Sequence, residues 1–161
     1  MDALRKSYEN MGFRNVTTYV QSGNVIFVCN ELKCNDLEQK ISLQIGKDFG
    51  FEVPVLVLTI EKLQQIIENN PFVKDSDKDP SFLHITFLAS KPDHFDHAQI
   101  EDKKQNGEEI FFSDIAVYLY CPNGYGRTKL NNNFLEAKLK VGATTRNWKT
   151  TSELFKIAEQ L

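Results

Sequence analysis

The chain has 161 residues, 41% of them apolar and 25% charged, with a formal net charge of −3 at pH 7. A chain of this length buries roughly two thirds of the surface its unfolded form exposes, so a packed core needs no disulfide or metal staple. The charge excludes a protein that is basic overall and leaves only a local basic patch for a polyanion.

The three cysteines, Cys29, Cys34 and Cys121, are odd in number and contain no C-x-x-C spacing, so they read as reduced thiols. No apolar run approaches the ~20 residues of a membrane span. Residues 1–5 lack the basic-then-apolar layout of a signal peptide. These features predict a cytoplasmic protein without a membrane partner.

In chain order, residues 2–11 place Leu4, Tyr8 and Met11 on one helical face, and Gly12 ends the run. Residues 16–28 predict a hairpin, two β-rich stretches enclosing Gln21, Ser22 and Gly23. A second helix follows, with Asn35 as N-cap, Glu38 closing a capping box, and Leu37, Ile41, Ile45 and Phe49 as its buried stripe. Residues 53–58 are apolar on both faces and predict a strand, with Pro54 at its start. Thr59 caps a third helix that stops at Asn69, Asn70 and Pro71. The polar stretch 75–80 is the expected boundary between halves.

The second half repeats the rhythm. A strand is expected over 82–89 and a short helix over 95–103. A hairpin follows from 109–112 and 116–121, then a helix over 130–141 and an extended stretch over 143–146. A last helix opens on a capping box at Thr150, Thr151, Ser152 and Glu153. The order β-α-β-β-α-β is that of the ferredoxin-like split βαβ. The first half reads α-β-β-α-β, the same unit without its opening strand. The expected fold is therefore α+β, two ferredoxin-like (βαββαβ) units in tandem, the first incomplete, plus a C-terminal helix. Residues 1–74 form the first unit with a connecting helix, and 81–161 the second. In such a sheet the opening strand lies centrally, so residues 24–28 and 53–58 would flank a gap of about one strand spacing. Either the chain begins too late or another strand fills the slot, and a homodimer through the incomplete first sheet is one way to fill it.

The run Gly12-Phe13-Arg14-Asn15-Val16-Thr17-Thr18-Tyr19-Val20-Gln21-Ser22-Gly23-Asn24-Val25-Ile26-Phe27 resembles the bacterial family called domain of unknown function 1697 (DUF 1697). Ala143 to Thr150 resembles that family's second hallmark, and Pro122 to Leu130 its glycine-containing loop, so the resemblance spans essentially the whole chain. Family members open with a strand and an Arg-Gly-Ile-Asn-Val-Gly-Gly-like loop that this chain lacks, which makes it resemble an N-terminally truncated member. The resemblance implies paired ferredoxin-like units and no established activity.

The first candidate site is the loop of Gly124, Gly126, Arg127, Thr128 and Lys129 running into a helix. Glycines let backbone N–H groups approach a ligand, a helix start favours an anion, and the charged side chains add donors. The P-loop spacing is absent, and the plain alternative is a strand-to-helix turn with solvated charges. The second candidate is Arg146, Asn147 and Trp148, where Arg146 could join Arg127 and Lys129 in one basic pocket. Structurally, Trp148, the one tryptophan, serves as a core anchor and Asn147 satisfies backbone at a helix start. Gln21 to Asn24 is explained by turn chemistry. His94 and His97 are three apart, yet no metal-binding pattern accompanies them and His84 reads as a packed strand residue. Tyr118 and Tyr120 share a strand face that is better explained by packing than by base stacking.

Spacing supports no Ser-His-Asp or Cys-His arrangement, so no catalytic residue, metal or cofactor is named. The expected function is a non-catalytic binding module for an anionic ligand, a nucleotide or nucleic acid. The alternative is an enzyme acting on a phosphorylated or carboxylated small molecule in a cleft between units.

Overall fold

The computed structural model describes residues 1–30 and 33–161, which form two compact units. One comprises residues 1–64 with 153–161, the other residues 65–152. The expected boundary at 75–80 lies inside the second of these.

In the first unit, α1 (Asp2–Asn10) leads into an antiparallel hairpin of β1 (Arg14–Tyr19) and β2 (Asn24–Val28). The pairing slips between Arg14 and Thr17, where Asn15 takes a positive φ of 52°. At the tip, Asn24 donates to the Tyr19 carbonyl at 3.1 Å and to the Ser22 hydroxyl at 2.8 Å. The hairpin thus satisfies its own polar groups. Helix α2 (Cys34–Phe49) buries Leu37, Ile41 and Ile45, and ends at Gly50 with φ +79°. Together with Tyr8 and Phe13 these three residues form the core. Ile41, fully buried, contributes about 1.5–3 kcal/mol of transfer free energy.

Two expectations for this unit change. Helix α2 starts at Cys34, one residue before the expected cap, and its N-cap Lys33 makes no side-chain capping bond. Glu38 is used elsewhere, since its carboxylate accepts the Val57 N–H at 2.8 Å. Residues 53–58, expected to form a strand, have no regular secondary structure and belong to neither described sheet. Thr59 does cap the next helix, α3 (Ile60–Glu68), accepting the Lys62 N–H at 3.2 Å.

The second unit is a four-stranded antiparallel sheet backed by helices. Its strands are β3 (Leu83–Leu88), β4 (Glu109–Phe112), β5 (Ala116–Tyr120) and β6 (Ala143–Asn147), in the order β4-β5-β3-β6. Helix α4 (His97–Glu101) connects β3 to β4, and α5 (Asn132–Leu139) connects β5 to β6. This strand order and the crossovers are the βαββαβ layout expected from the sequence. Leu88, Val117 and Leu119 pack under Ile100 of α4 and Leu135 and Leu139 of α5. On the opposite face Leu83, Ile85 and Tyr118 are also fully buried, and the Tyr118 hydroxyl donates to the Ile66 carbonyl at 2.7 Å. Both helices in this layout are shorter than the periodicity suggests. Asp96 caps α4, Asn131 caps α5, and Lys140 ends α5 in the left-handed conformation. The last helix, α6 (Trp148–Glu159), follows β6 without a break.

Candidate functional site

The first candidate loop leaves β5 at Cys121 and reaches α5 through one turn of 3-10 helix at Tyr125–Arg127. Gly124 sits at φ +93°, a conformation that side chains resist, so the glycine is required by the turn itself. The loop's backbone is held from inside. Tyr125 stacks on His84, ring centroids 4.5 Å apart and 17° from parallel, and its hydroxyl accepts the Asn132 N–H at 2.9 Å. Thr128 is buried, and its hydroxyl accepts the Leu130 N–H at 3.1 Å. The Asn131 side chain accepts the Phe134 N–H at 2.9 Å.

These bonds occupy N–H groups that an anion would otherwise use. Two of the donors at the start of α5, those of Asn132 and Phe134, already have side-chain partners. The sequence foresaw an open helix start; the structure supplies Tyr125 and Asn131 as its partners.

A polar chain extends from this point into the sheet. Asn132 donates to the Ala143 carbonyl at 3.1 Å and accepts from the Thr145 hydroxyl at 3.0 Å. Thr145 in turn lies 2.7 Å from the Thr86 hydroxyl, across the β3–β6 pairing. Each of these side chains is engaged, so the chain ties the loop, α5 and the edge strand β6 together.

Register separates Arg146 from the loop. Thr145 faces α5, as its bond to Asn132 shows, so its neighbour Arg146 projects from the other sheet face. There the guanidinium donates to the Thr144 hydroxyl and the Thr145 carbonyl, both at 2.9 Å. Burial lowers its pKa from the ordinary value. A single basic pocket of Arg127, Lys129 and Arg146 is therefore not what this register builds. Arg127 and Lys129 are exposed and, among the described residues, their side chains make no hydrogen bond or ion pair.

Asn147 and Trp148 stand at the junction of β6 and α6. The Asn147 side chain accepts the Thr150 N–H at 2.7 Å, and Thr151 donates its hydroxyl to the Asn147 carbonyl at 2.9 Å. Asn147 thus supplies the helix-start bond in place of the box expected at Thr150 to Glu153. Trp148 is half-buried at the first position of the helix.

The remaining sequence candidates resolve into packing. His97 stacks on Phe95 at 4.3 Å and meets Phe112 edge-on at 4.9 Å. Among the described residues no group of three or more His, Cys, Asp or Glu is placed to hold a metal ion. Tyr120 lies beneath the Lys78 ammonium, 5.2 Å from its ring centroid. Three buried acids titrate further from neutrality than usual. Burial pushes Tyr8 and Tyr118 up to about 12, and burial aided by the Glu108 charge does the same to the Cys121 thiol.

Two features had no sequence signal. Lys78 is clasped by Asp75 and Glu109, each at 2.7 Å. Glu108 is buried beside Cys121, one oxygen accepting the Gln105 N–H at 2.7 Å.

The fold is that of an α+β protein with a two-stranded and a four-stranded antiparallel sheet among the described residues. No described helix is long and apolar enough to cross a membrane. The chain belongs to the family described as protein of unknown function (DUF1697), whose model matches residues 1–118. The match ends within β5, so the glycine loop and the stretch 143–150 lie beyond the matched residues. The chain is also similar in structure to a conserved bacterial protein from Streptococcus pneumoniae. The two share 21% sequence identity and a TM-score of 0.72, over 99% of this chain and 88% of the other, which shows a shared fold. None of the curated proteins is significantly similar to the chain.

Proposed function

We propose that the protein is a non-catalytic binding module that takes an anionic ligand, a nucleotide or a nucleic-acid segment, on the loop 124–129. One observation carries this reading. Arg127 and Lys129 stand exposed and uncommitted on a loop whose backbone is locked by Tyr125 and Thr128. Two cations two residues apart on a fixed frame lose little freedom on binding, which favours an anion over solvent. The titrations support binding over catalysis, because Tyr8, Tyr118 and Cys121 are held protonated by burial and supply no activated nucleophile.

The test is a calorimetric titration of the whole chain with ATP and with a single-stranded oligonucleotide, at two salt concentrations. Binding is expected to weaken tenfold or more in a variant carrying Arg127→Ala and Lys129→Ala, and to be unchanged in Lys47→Ala, an exposed lysine on α2. A steep salt dependence assigns the ligand to the polyanion class, since each neutralised phosphate releases counterions. Equal binding by the double variant and the unaltered chain ends the proposal.

A further inference from the structure

The first unit carries a groove of its own, of about 490 Å³, at the end of the β1–β2 hairpin away from its tip. Met11 and Gly12 after α1, Arg14 of β1, Val28 and Cys29 at the end of β2, and Lys40 of α2 line it. Its walls are fixed by the chain itself. Arg14 pairs with Val28 across the hairpin. The Phe13 N–H donates to the Tyr8 carbonyl at 3.3 Å, and the Phe13 ring stacks on Phe27 with centroids 4.5 Å apart. Gly12, at φ +89°, brings bare backbone to the groove, where an added Cβ would meet nothing within 4 Å.

The charge in this groove has one sign. Arg14 and Lys40 both line it, and among the described residues no carboxylate does. The chain as a whole carries a net charge of −3, so the groove is a local exception. The Lys40 ammonium donates to the Met11 carbonyl at 3.3 Å and lies over the Phe13 ring, 5.1 Å from its centroid. Those contacts hold the ammonium in place and leave its charge without a counterion. Arg14 is exposed, and among the described residues its side chain makes no hydrogen bond or ion pair.

A cleft lined by cations alone concentrates anions. A pinned ammonium loses little freedom on binding, and a guanidinium fork bonds two oxygens of one head group at once. Met11 and Val28, each half-buried, offer apolar contact to whatever the head carries. We propose that this groove binds a small organic anion, its carboxylate or phosphate head bonded by Arg14 and Lys40 and its apolar body against Met11 and Val28. None of these residues belongs to the loop 124–129, so either site can fail without the other.

Cys29 is exposed and lines the same groove, so its alkylation by iodoacetamide reports whether the groove is filled. The whole chain is labelled at constant ionic strength with benzoate, phenyl phosphate or the neutral benzamide in millimolar excess, and Cys29 is followed by mass spectrometry. At least one anion is expected to slow the labelling about tenfold, the effective one identifying the head group, and benzamide to leave it unchanged. Arg14→Gln combined with Lys40→Met keeps both stems, removes both charges and is expected to abolish the protection. Arg127→Ala combined with Lys129→Ala is expected to leave it intact. Protection by neither anion, equal protection by benzamide, or protection that survives the loss of Arg14 and Lys40 would each overturn the proposal, as would protection that disappears with Arg127 and Lys129.

Discussion

The Tyr125 hydroxyl accepts the backbone N–H of Asn132 at 2.9 Å, bonding a loop residue to the first turn of α5 seven residues later. The contact turns a glycine-containing connection into a fixed frame. Tyr125→Phe keeps the ring stacked on His84 and removes only the acceptor, leaving one helix-start donor without its partner. A loss of about 1 kcal/mol is expected, the net worth of one such bond. Urea unfolding should show a lower midpoint at an unchanged slope.

His84 supplies the pH dependence of the same frame. Burial lowers its pKa below the ordinary 6.5, so the folded state favours the neutral ring. In the unfolded chain the imidazole takes up its proton at about 6.5, before the folded protein does. The contribution to stability is therefore complete above that value. It is lost as pH falls from about 6.5 toward the lower folded value, and levels off below it. Denaturation midpoints measured between pH 8 and 5 should fall across this window, and His84→Phe should remove that part of the slope.

How far the sequence reaches is visible in particular residues. The second unit was legible because its strands alternate between clear turns, and that local pattern is all a meander and two crossovers need. Thr59 was legible as a cap for the same reason. Asn35 and Glu38 satisfy the capping pattern as well, yet Glu38 bonds to Val57, nineteen residues away, and no local signal predicts that choice. The apolar run 53–58 suggested a strand that the structure does not form, since pairing depends on what lies beside it. Thr86 and Thr145, 59 residues apart, likewise carry no mark of their contact. Arg146 is different, because strand parity alone puts it on the opposite face from Thr145 and could have excluded the pooled basic pocket.

Lys78 closes a clasp between the connecting segment and β4. Its ammonium meets Asp75 and Glu109 at 2.7 Å each and lies over the rings of Phe72 and Tyr120. Hydrogen bonds that it donates to the two carboxylates raise its pKa above the ordinary lysine value. Lys78→Ala should destabilise the second unit by removing both the charge and the stem over the rings. Lys78→Met keeps an apolar stem and should recover part of the loss. If the ion pairs matter, the gap between the unaltered chain and Lys78→Met will narrow in high salt, because their exposed carboxylates are screened.

The cysteines should separate cleanly by reactivity. Cys29 is exposed, whereas Cys121 is fully buried with its thiol pushed up to about 12. At pH 8 about one Cys121 in ten thousand is thiolate, the form that reacts. Alkylation of the folded chain is expected to modify Cys29 quickly and to spare Cys121. Labelling of Cys121 should then follow denaturant in step with unfolding, as read by mass spectrometry. Fast labelling of Cys121 without denaturant would show that the packing around it opens locally.

Asn147 decides whether the stretch before α6 is a ligand contact or a helix start. Its side chain accepts the Thr150 N–H, the bond that an N-terminal cap makes. Asn147→Ala should cost about 1 kcal/mol, and Asn147→Ser or Asn147→Asp should restore most of it, since each returns an acceptor of suitable reach. Neither restoring change should depend on any added anion. A residue that served a ligand would show the reverse, with stability unchanged by alanine and binding lost. Thermal unfolding of the three variants, with and without ATP, separates the two outcomes, because a bound ligand raises the melting temperature by mass action and a cap does so without one.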